Sequence, residues 1–259
     1  MTHLDWLDAP FLEELEIYSF SISNLNALPQ NLKRLLVSTR LTSLAGLEKL
    51  PNLTALTLAG TTLRGLAGLE KLTSLTTLTL RDMSVNSLAA LEKLPNLTTL
   101  TLSESGLSSL AGLEKLPNLT TLTLGESRLS SLAELEKLPN LTTLTLSELA
   151  VYGLAELEPL PNLPNLTTLN LNLLRTSLAE LEKVPNLTTL SLIVPFTGPA
   201  GLAKMPNLTT LSLSQSESNP APCTATTSEC APARRSRPGS NGARETPDAP
   251  AAPCRCSRR

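Results

Sequence analysis

Leucine recurs along most of the chain in a pattern that repeats every 22 residues or so. In LTTLTL, residues 97–102, leucine alternates with threonine, which is the period of a β-strand with one buried face. In LSSLAGLEKL, residues 107–116, leucine falls at every third position, which predicts a short helical or 3₁₀ turn that buries one stripe. Pro117 then ends the turn, because proline cannot continue a helix. Each unit is therefore predicted to contain one strand and one short helical turn.

The unit occurs ten times. The eleven residues EKLPNLTTLTL stand identically at 92–102, 114–124 and 136–146, and two degenerate units open at Leu12 and Leu32. The regular units open at steps of 22, 25 and 21 residues, on Leu53, Leu75, Leu97, Leu119, Leu141, Leu166, Leu187 and Leu208. One unit cannot bury its own leucines, whereas stacked units share a continuous core. The sequence therefore predicts a solenoid.

This pattern, Leu-x-x-Leu-x-Leu followed by leucine at every third position, stays in register over about residues 12–214. It resembles the short SDS22-like and internalin-like class of the leucine-rich repeat family. The resemblance implies an α/β fold, in which a parallel β-sheet lines a concave face and short helical or 3₁₀ turns lie on the convex side. It also implies that the concave face binds another protein and carries no chemistry.

Three parts are predicted along the chain. Residues 1–31 form a degenerate N-terminal repeat or cap, residues 32–214 form the solenoid, and residues 215–259 form a disordered tail rich in Pro, Ala and Arg. The first part contains most of the aromatic residues, which fits either a cap or a decayed repeat: Trp6, Phe11, Tyr18 and Phe20. No cap is evident after the last strand.

The tail has a periodicity of its own. APARRSR at 231–237 is echoed by APCRCSR at 252–258, one repeat length away. A repeated DNA sequence translated in the wrong frame would produce such an echo, so one hypothesis is that the tail is a frameshifted continuation of the array. The other is a genuine basic tail that folds back on the acidic body or binds an acidic partner.

The ninth position of the unit departs from the family. The family places asparagine there, where the side chain pairs with backbone groups of adjacent turns, but here no asparagine occurs: Phe20, Arg40, Thr61, Met83, Ser105, Ser127, Leu149, Leu174, Pro195 and Ser216. Thr and Ser can pair with a backbone group through a hydroxyl, whereas Met, Leu and Pro cannot. Each unpaired buried group costs about 1–3 kcal/mol. We therefore expect a looser solenoid, loosest near Met83, Leu149, Leu174 and Pro195.

The outward side of each strand is the candidate binding surface. The third and fifth positions are mostly threonine, and the eighth position carries a carboxylate in four successive units. Farther along, the surface becomes apolar. The candidate partner-binding residues are Asp82, Thr101, Glu104, Thr123, Glu126, Thr145, Glu148, Leu173, Ile193 and Val194. An acidic stripe beside an apolar patch would suit a partner with a basic surface. The alternative is that duplication copied one Glu with its repeat, leaving a merely solvated surface.

Charge excludes one class of partner. Residues 1–218 contain 14 Lys and Arg against 20 Asp and Glu, while residues 219–259 contain 7 Arg against 3 acids. Because phosphate binding needs a basic face, the acidic body is not expected to bind nucleic acid. No secretory signal and no apolar run of membrane-spanning length is evident, so a cytoplasmic protein without membrane association is expected.

Catalytic or cofactor chemistry is not indicated. The single histidine is His3, no Ser/His/Asp or Cys/His set can be assembled in the body, and no glycine-rich phosphate loop occurs. The four cysteines all lie in the tail, at spacings that fit no zinc motif. Repeated Glu-Lys pairs on the convex side are expected to serve solubility. Seven Asn-Leu-Thr triplets match the glycosylation acceptor pattern but are explained by repeat copying.

The sequence thus predicts a non-catalytic protein-binding scaffold that needs no cofactor or small-molecule substrate. Two alternatives remain open. The chain could be a truncated or frameshifted repeat product without independent function. It could also be a surface or host-interaction protein of internalin type, which would require an export signal.

Overall fold

Ten parallel strands form one sheet, as the alternation of leucine and threonine predicts. The computed structural model describes residues 9–18, 22, 24–63, 65–83, 85, 87–126, 129, 131–147, 160–172, 181, 184, 186–193, 205–214 and 223–226. The strands are β1 (Glu14–Ile17), β2 (Arg34–Ser38), β3 (Ala55–Ala59), β4 (Thr77–Met83), β5 (Thr99–Ser105), β6 (Thr121–Gly125), β7 (Thr143–Ser147), β8 (Thr168–Asn172), β9 (Thr189–Ile193), β10 (Thr210–Ser214) and β11 (Cys223–Thr226). Strands β1 to β10 pair in chain order, each parallel to the next.

The two sides of the sheet follow the sequence pattern. Leu97, Leu100 and Leu102 are at most 1% exposed, whereas Thr99 and Thr101 between them are half-buried and face outward. The same leucine positions are buried in unit after unit, so the core is one continuous cluster that runs from Ile17 to Leu211. Stacking, rather than the folding of any single unit, removes these leucines from water.

The turns behind the sheet are 3₁₀ helices, which confirms the predicted architecture. Within the described residues they span Leu47–Lys49, Leu69–Lys71, Ala89–Lys93, Leu113–Lys115, Ala133–Lys137 and Leu160–Asn162. Three of them begin directly after a glycine with φ near +105°: Gly46, Gly68 and Gly112. Where Ala90 or Glu134 replaces that glycine, the helix begins two residues earlier. A left-handed glycine therefore shortens the helix, because helical φ is negative.

Gly46 is also required by close packing. A Cβ atom at this position would lie 2.3 Å from the backbone carbonyl of Leu25 in the preceding unit. The chain of one repeat thus passes directly over the backbone of another.

The long unit does not disturb the sheet. PNLPNL at 161–166 adds three residues, yet Thr143 still pairs with Thr168 and Leu144 with Leu169. The extra residues are taken up before β8, where Leu163 and Leu166 are both buried. Equivalent positions therefore remain aligned across the insertion.

The two ends of the sheet are built differently. Phe11 is 89% exposed and Tyr18 is 67% exposed, so these two aromatics do not close the end of the core; Trp6 and Phe20 lie outside the described residues. At the other end, β11 pairs antiparallel with β10. The edge of β10 offers unpaired backbone groups, and residues 223–226 pair with them. The disorder of residues 215–259 stays a prediction.

Candidate functional site

The outward face of the sheet is built from equivalent residues placed side by side. Parallel pairing aligns the third positions of β4 to β7 with one another and does the same for the fifth positions. All eight side chains are threonine, and we call them the threonine grid: Thr77, Thr79, Thr99, Thr101, Thr121, Thr123, Thr143 and Thr145. Each is half-buried. The structure thus brings the predicted residues Thr101, Thr123 and Thr145 together in one row.

The carboxylates at the eighth position also lie in a row, at the ends of the strands. Asp82, Glu104 and Glu126 are exposed, and we call them the carboxylate row. Their φ angles are 48°, 49° and 43°, and Gly60 at the equivalent position has a φ of 60°. Where the chain leaves the strand, the backbone at this position is therefore left-handed. Glycine adopts this conformation freely, whereas glutamate does not.

The predicted apolar patch is represented by one residue. Ile193, at the end of β9, is 37% exposed. Leu173, Val194 and the fourth carboxylate, Glu148, lie outside the described residues, and their placement stays a prediction.

The ninth position lacks the pairing that was expected of it. The hydroxyl oxygens of Thr61 and Ser105 are buried and have no hydrogen-bond partner among the described residues. The idea that these hydroxyls would take over the role of asparagine is therefore wrong at both positions. Met83 is buried at the same position. Of the other expected loose points, Leu149, Leu174 and Pro195 lie outside the described residues.

Two hydrogen-bond ladders, which the sequence analysis missed, join the repeats along the edge where the strands begin. The second residue of each of the eight regular units is a threonine whose hydroxyl donates to the carbonyl oxygen of the second residue one unit earlier, over 3.1 to 3.3 Å. The donors are Thr54, Thr76, Thr98, Thr120, Thr142, Thr167, Thr188 and Thr209. The same carbonyl oxygens also accept two backbone hydrogen bonds. For example, the carbonyl oxygen of Thr76 accepts from the N–H groups of Thr98 and Thr99. In nearly every unit, therefore, one carbonyl oxygen accepts three hydrogen bonds from the next unit: one from a threonine hydroxyl and two from backbone N–H groups.

The second ladder uses the asparagine that directly precedes the opening leucine of most units. Its side-chain amide donates to a backbone carbonyl oxygen of the previous turn over 2.6 to 2.9 Å, from Asn96, Asn118, Asn140, Asn165 and Asn186. The Asn-Leu-Thr triplet, which occurs seven times, was the signal for both ladders. The shallow troughs of the surface, of about 410 and 420 Å³, lie over these two rows.

Three glutamates on the opposite side have a structural task. Glu48, Glu70 and Glu114 accept the backbone N–H of the glycine two residues earlier, over 2.7, 2.6 and 2.8 Å. Each carboxylate's pKa is lowered, first by its own backbone N–H and then by that of the glycine. The Glu-Lys pairs thus include residues that hold the turn, beyond the expected role in solubility.

The described part of the chain has neither a candidate three-ligand metal site nor a helix that could span a membrane. It contains no group of three His, Cys, Asp or Glu residues arranged to hold a metal ion. None of its helices is long and apolar enough to cross a membrane.

Solved structures of other proteins share this architecture. Internalin C2 of Listeria monocytogenes gives a TM-score of 0.55 at 28% identity, over 75% of this chain and 81% of its own. A leucine-rich repeat protein of Leptospira interrogans gives 0.59 at 25% identity, over 79% and 61%. A further L. monocytogenes internalin, inlF, gives 0.59 at 22% identity, over 74% and 65%, and supports the fold alone. The chain spans less than two thirds of the length of the last two proteins. No protein-family profile matches the sequence, and no curated protein does.

Proposed function

Because the chain is a leucine-rich repeat protein, we propose that it is a non-catalytic scaffold that binds a partner protein with a basic surface through the outward face of its sheet. The observation that carries this proposal is the carboxylate row. Asp82, Glu104 and Glu126 are exposed and aligned, and all three have left-handed backbone conformations. A left-handed residue with a side chain costs about 1–2 kcal/mol, and strain of this kind concentrates at functional sites.

The charge arrangement favours a cationic partner. Adjacent parallel strands lie about 4.8 Å apart, so successive carboxylates form a closely spaced line. Exposed like charges repel only modestly, and a basic surface placed on the row would remove that repulsion and speed association. The net charge of −6 over residues 1–218 disfavours nucleic acid as the partner.

Other parts of the proposed surface have separate roles. Thr101, Thr123 and Thr145 would line the approach to the row, and Ile193 would supply an apolar contact at its far end. Glu148, Leu173 and Val194 are proposed to extend the surface. A cytoplasmic location belongs to the same proposal.

Matched charge variants test the site. We expect the Glu104→Gln/Glu126→Gln variant to lose most of the partner that wild-type protein captures, as measured by quantitative pull-down with mass spectrometry. The Glu92→Gln/Glu136→Gln variant removes the same amount of charge from the 3₁₀ side of the repeats. This control variant should capture the partner as well as the wild-type protein does. Capture should also weaken between low and high salt, because exposed charges are screened. Equal loss in both variants, or salt-independent capture, would count against the carboxylate row.

The alternative of a frameshifted product has its own test. Nucleotide sequencing of the 3′ end from independent clones and transcripts will show whether the repeat resumes in another frame. If it does, the echo of 231–237 at 252–258 is a remnant of the array. If the frame is confirmed, the basic tail is a part of the protein that could contact the carboxylate row.

A further inference from the structure

The threonine grid is a surface with its own regular dimensions. Neighbouring strands are about 4.8 Å apart, and the third and fifth positions of one strand are about 6.7 Å apart. Pairing in register repeats these two distances across β4, β5, β6 and β7. The third-position row continues through Thr168, Thr189 and Thr210 on β8 to β10. Seven adjacent strands therefore carry threonine at the same position along the strand.

The hydroxyl groups of the grid are available to solvent. Within the described residues, the hydroxyl of Thr145 accepts a bond from the amide of Asn170, over 3.0 Å, and no other grid hydroxyl has a protein partner. The threonines at the second position differ, because their hydroxyls are used in the ladder to the next repeat. Threonine is β-branched and stiff about χ1, so each grid residue holds one hydroxyl and one methyl group in a restricted orientation.

The chemistry of the grid fits few ligands. It contains no charge and no aromatic ring, and the charged residues Arg81 and Asp82 lie beyond its edge at the seventh and eighth positions. Protein interfaces depend on Trp, Tyr and Arg anchors, and threonine is under-represented among them. Small molecules require concave pockets, and the two troughs described above lie at the strand-start edge and not over the grid. The matching ligand is uncharged, extended, hydrogen-bonding and itself periodic.

We propose that the threonine grid binds the surface of ice. Water held by the regularly spaced hydroxyls, with methyl groups between them, would form an ordered layer that continues into a crystal. The absence of charge is complementary to an uncharged crystal face, since a charged side chain would order water about itself instead. This inference does not rest on the proposed protein partner. Thr101, Thr123 and Thr145 also line the proposed approach to the carboxylate row, but neither the carboxylates nor a partner protein takes part in binding ice.

Ice itself is the probe for the test. The full-length chain is cooled with slowly growing ice, and its enrichment in the ice fraction is compared with that of a globular protein of similar mass. Crystal shape and thermal hysteresis are recorded in parallel. We expect several-fold enrichment and faceted crystals for the wild-type protein.

Two matched variants assign the activity to the grid. Thr101→Tyr/Thr123→Tyr places bulky rings at its centre and should reduce enrichment to the level of the comparison protein. Lys93→Tyr/Lys115→Tyr places the same rings on exposed positions away from the sheet and should leave enrichment unchanged. Circular dichroism and the unfolding midpoint verify that both variants fold.

Three results would overturn the inference. The first is wild-type protein that is excluded from ice like the comparison protein. The second is enrichment that survives in Thr101→Tyr/Thr123→Tyr. The third is retention on insoluble cellulose or chitin without enrichment in ice, which would assign the grid to a polysaccharide. Loss of partner capture in Glu104→Gln/Glu126→Gln has no bearing on these readouts, so the two proposals fail separately.

Discussion

The side-chain amide of Asn140 donates a hydrogen bond to the carbonyl oxygen of Pro117, one repeat earlier, over 2.7 Å. This bond belongs to a ladder of such contacts between successive repeats and lies at a different place from the asparagine position of the family. Together with the threonine ladder, it supplies polar connections between repeats whose ninth position provides none at Thr61 and Ser105.

The asparagine ladder should contribute measurably to stability. We expect Asn140→Ala to lower the free energy of unfolding by about 0.5–1 kcal/mol, because it removes one partly exposed hydrogen bond. Asn52 provides the control, since it occupies the equivalent position and its amide has no partner in the described structure. Asn52→Ala should therefore change little in urea denaturation. Equal losses at both positions would show that the effect comes from the turn and not from the bond.

Removing a hydroxyl should have opposite effects at two threonines. At Thr61 the buried hydroxyl is unpaired, so Thr61→Val is expected to raise the free energy of unfolding by about 1 kcal/mol. At Thr98 the hydroxyl donates to the carbonyl oxygen of Thr76 over 3.1 Å, so Thr98→Val should lower it by a similar amount. Both changes keep the β-branched shape. A loss of stability in Thr61→Val would indicate that its hydroxyl has a partner in solution.

The left-handed backbone at Glu104 should destabilise the folded protein, and a suitable substitution should restore part of that stability. Asparagine tolerates positive φ better than glutamate, so Glu104→Asn is expected to stabilise the protein by up to about 1 kcal/mol. Glu104→Gln removes the same charge and keeps the strain, and it should give no such gain. If thermal unfolding shows equal stabilisation in both variants, relief of charge repulsion explains the gain and backbone strain does not.

Acid should weaken the contacts between glutamate and glycine. The pKa values of Glu70 and Glu114 are lowered in the folded chain by bonds from their own N–H groups and from Gly68 and Gly112. Their contribution is therefore complete above the ordinary glutamate pKa, about 4.3, and is lost as pH falls through the lower folded value. The urea midpoint of the wild-type protein should drop between neutral pH and about pH 3, in the range where these carboxylates take up protons.

A pair of variants separates these two carboxylates from the others. Glu70→Gln/Glu114→Gln should show a smaller drop on acidification, since glutamine does not titrate there. Glu92→Gln/Glu136→Gln changes two units that lack the glycine. Its urea midpoint should fall on acidification as much as that of the wild-type protein. An identical acid response in all three proteins would show that the loss arises elsewhere.

Much of the fold could be predicted because its causes are local or repeated. The alternation in residues 97–102 determines a strand, and leucine at every third position in residues 107–116 determines a short 3₁₀ turn. A unit of this size cannot bury its leucines alone, so recurrence leaves stacking as the way to form a core. The parallel sheet, its order and the alignment of Thr99 with Thr121 follow from that repetition. The threonine columns and carboxylate row of the candidate site were predictable for the same reason.

The tertiary structure alone decided how polar groups are satisfied. Hydrogen bonds such as that from Asn140 to Pro117 join atoms 23 residues apart, and whether they form depends on the distance between stacked turns. Thr61 and Thr98 are both threonines, yet one hydroxyl is unpaired and the other is bonded, because only Thr98 faces a carbonyl oxygen of the previous repeat. Similarly, the positive φ of Glu104 reflects the path by which the chain leaves the sheet, which the identity of the residue does not specify. The sequence by itself determined the period and the buried face, whereas the stacking distance between repeats determined every contact that crosses from one unit to the next.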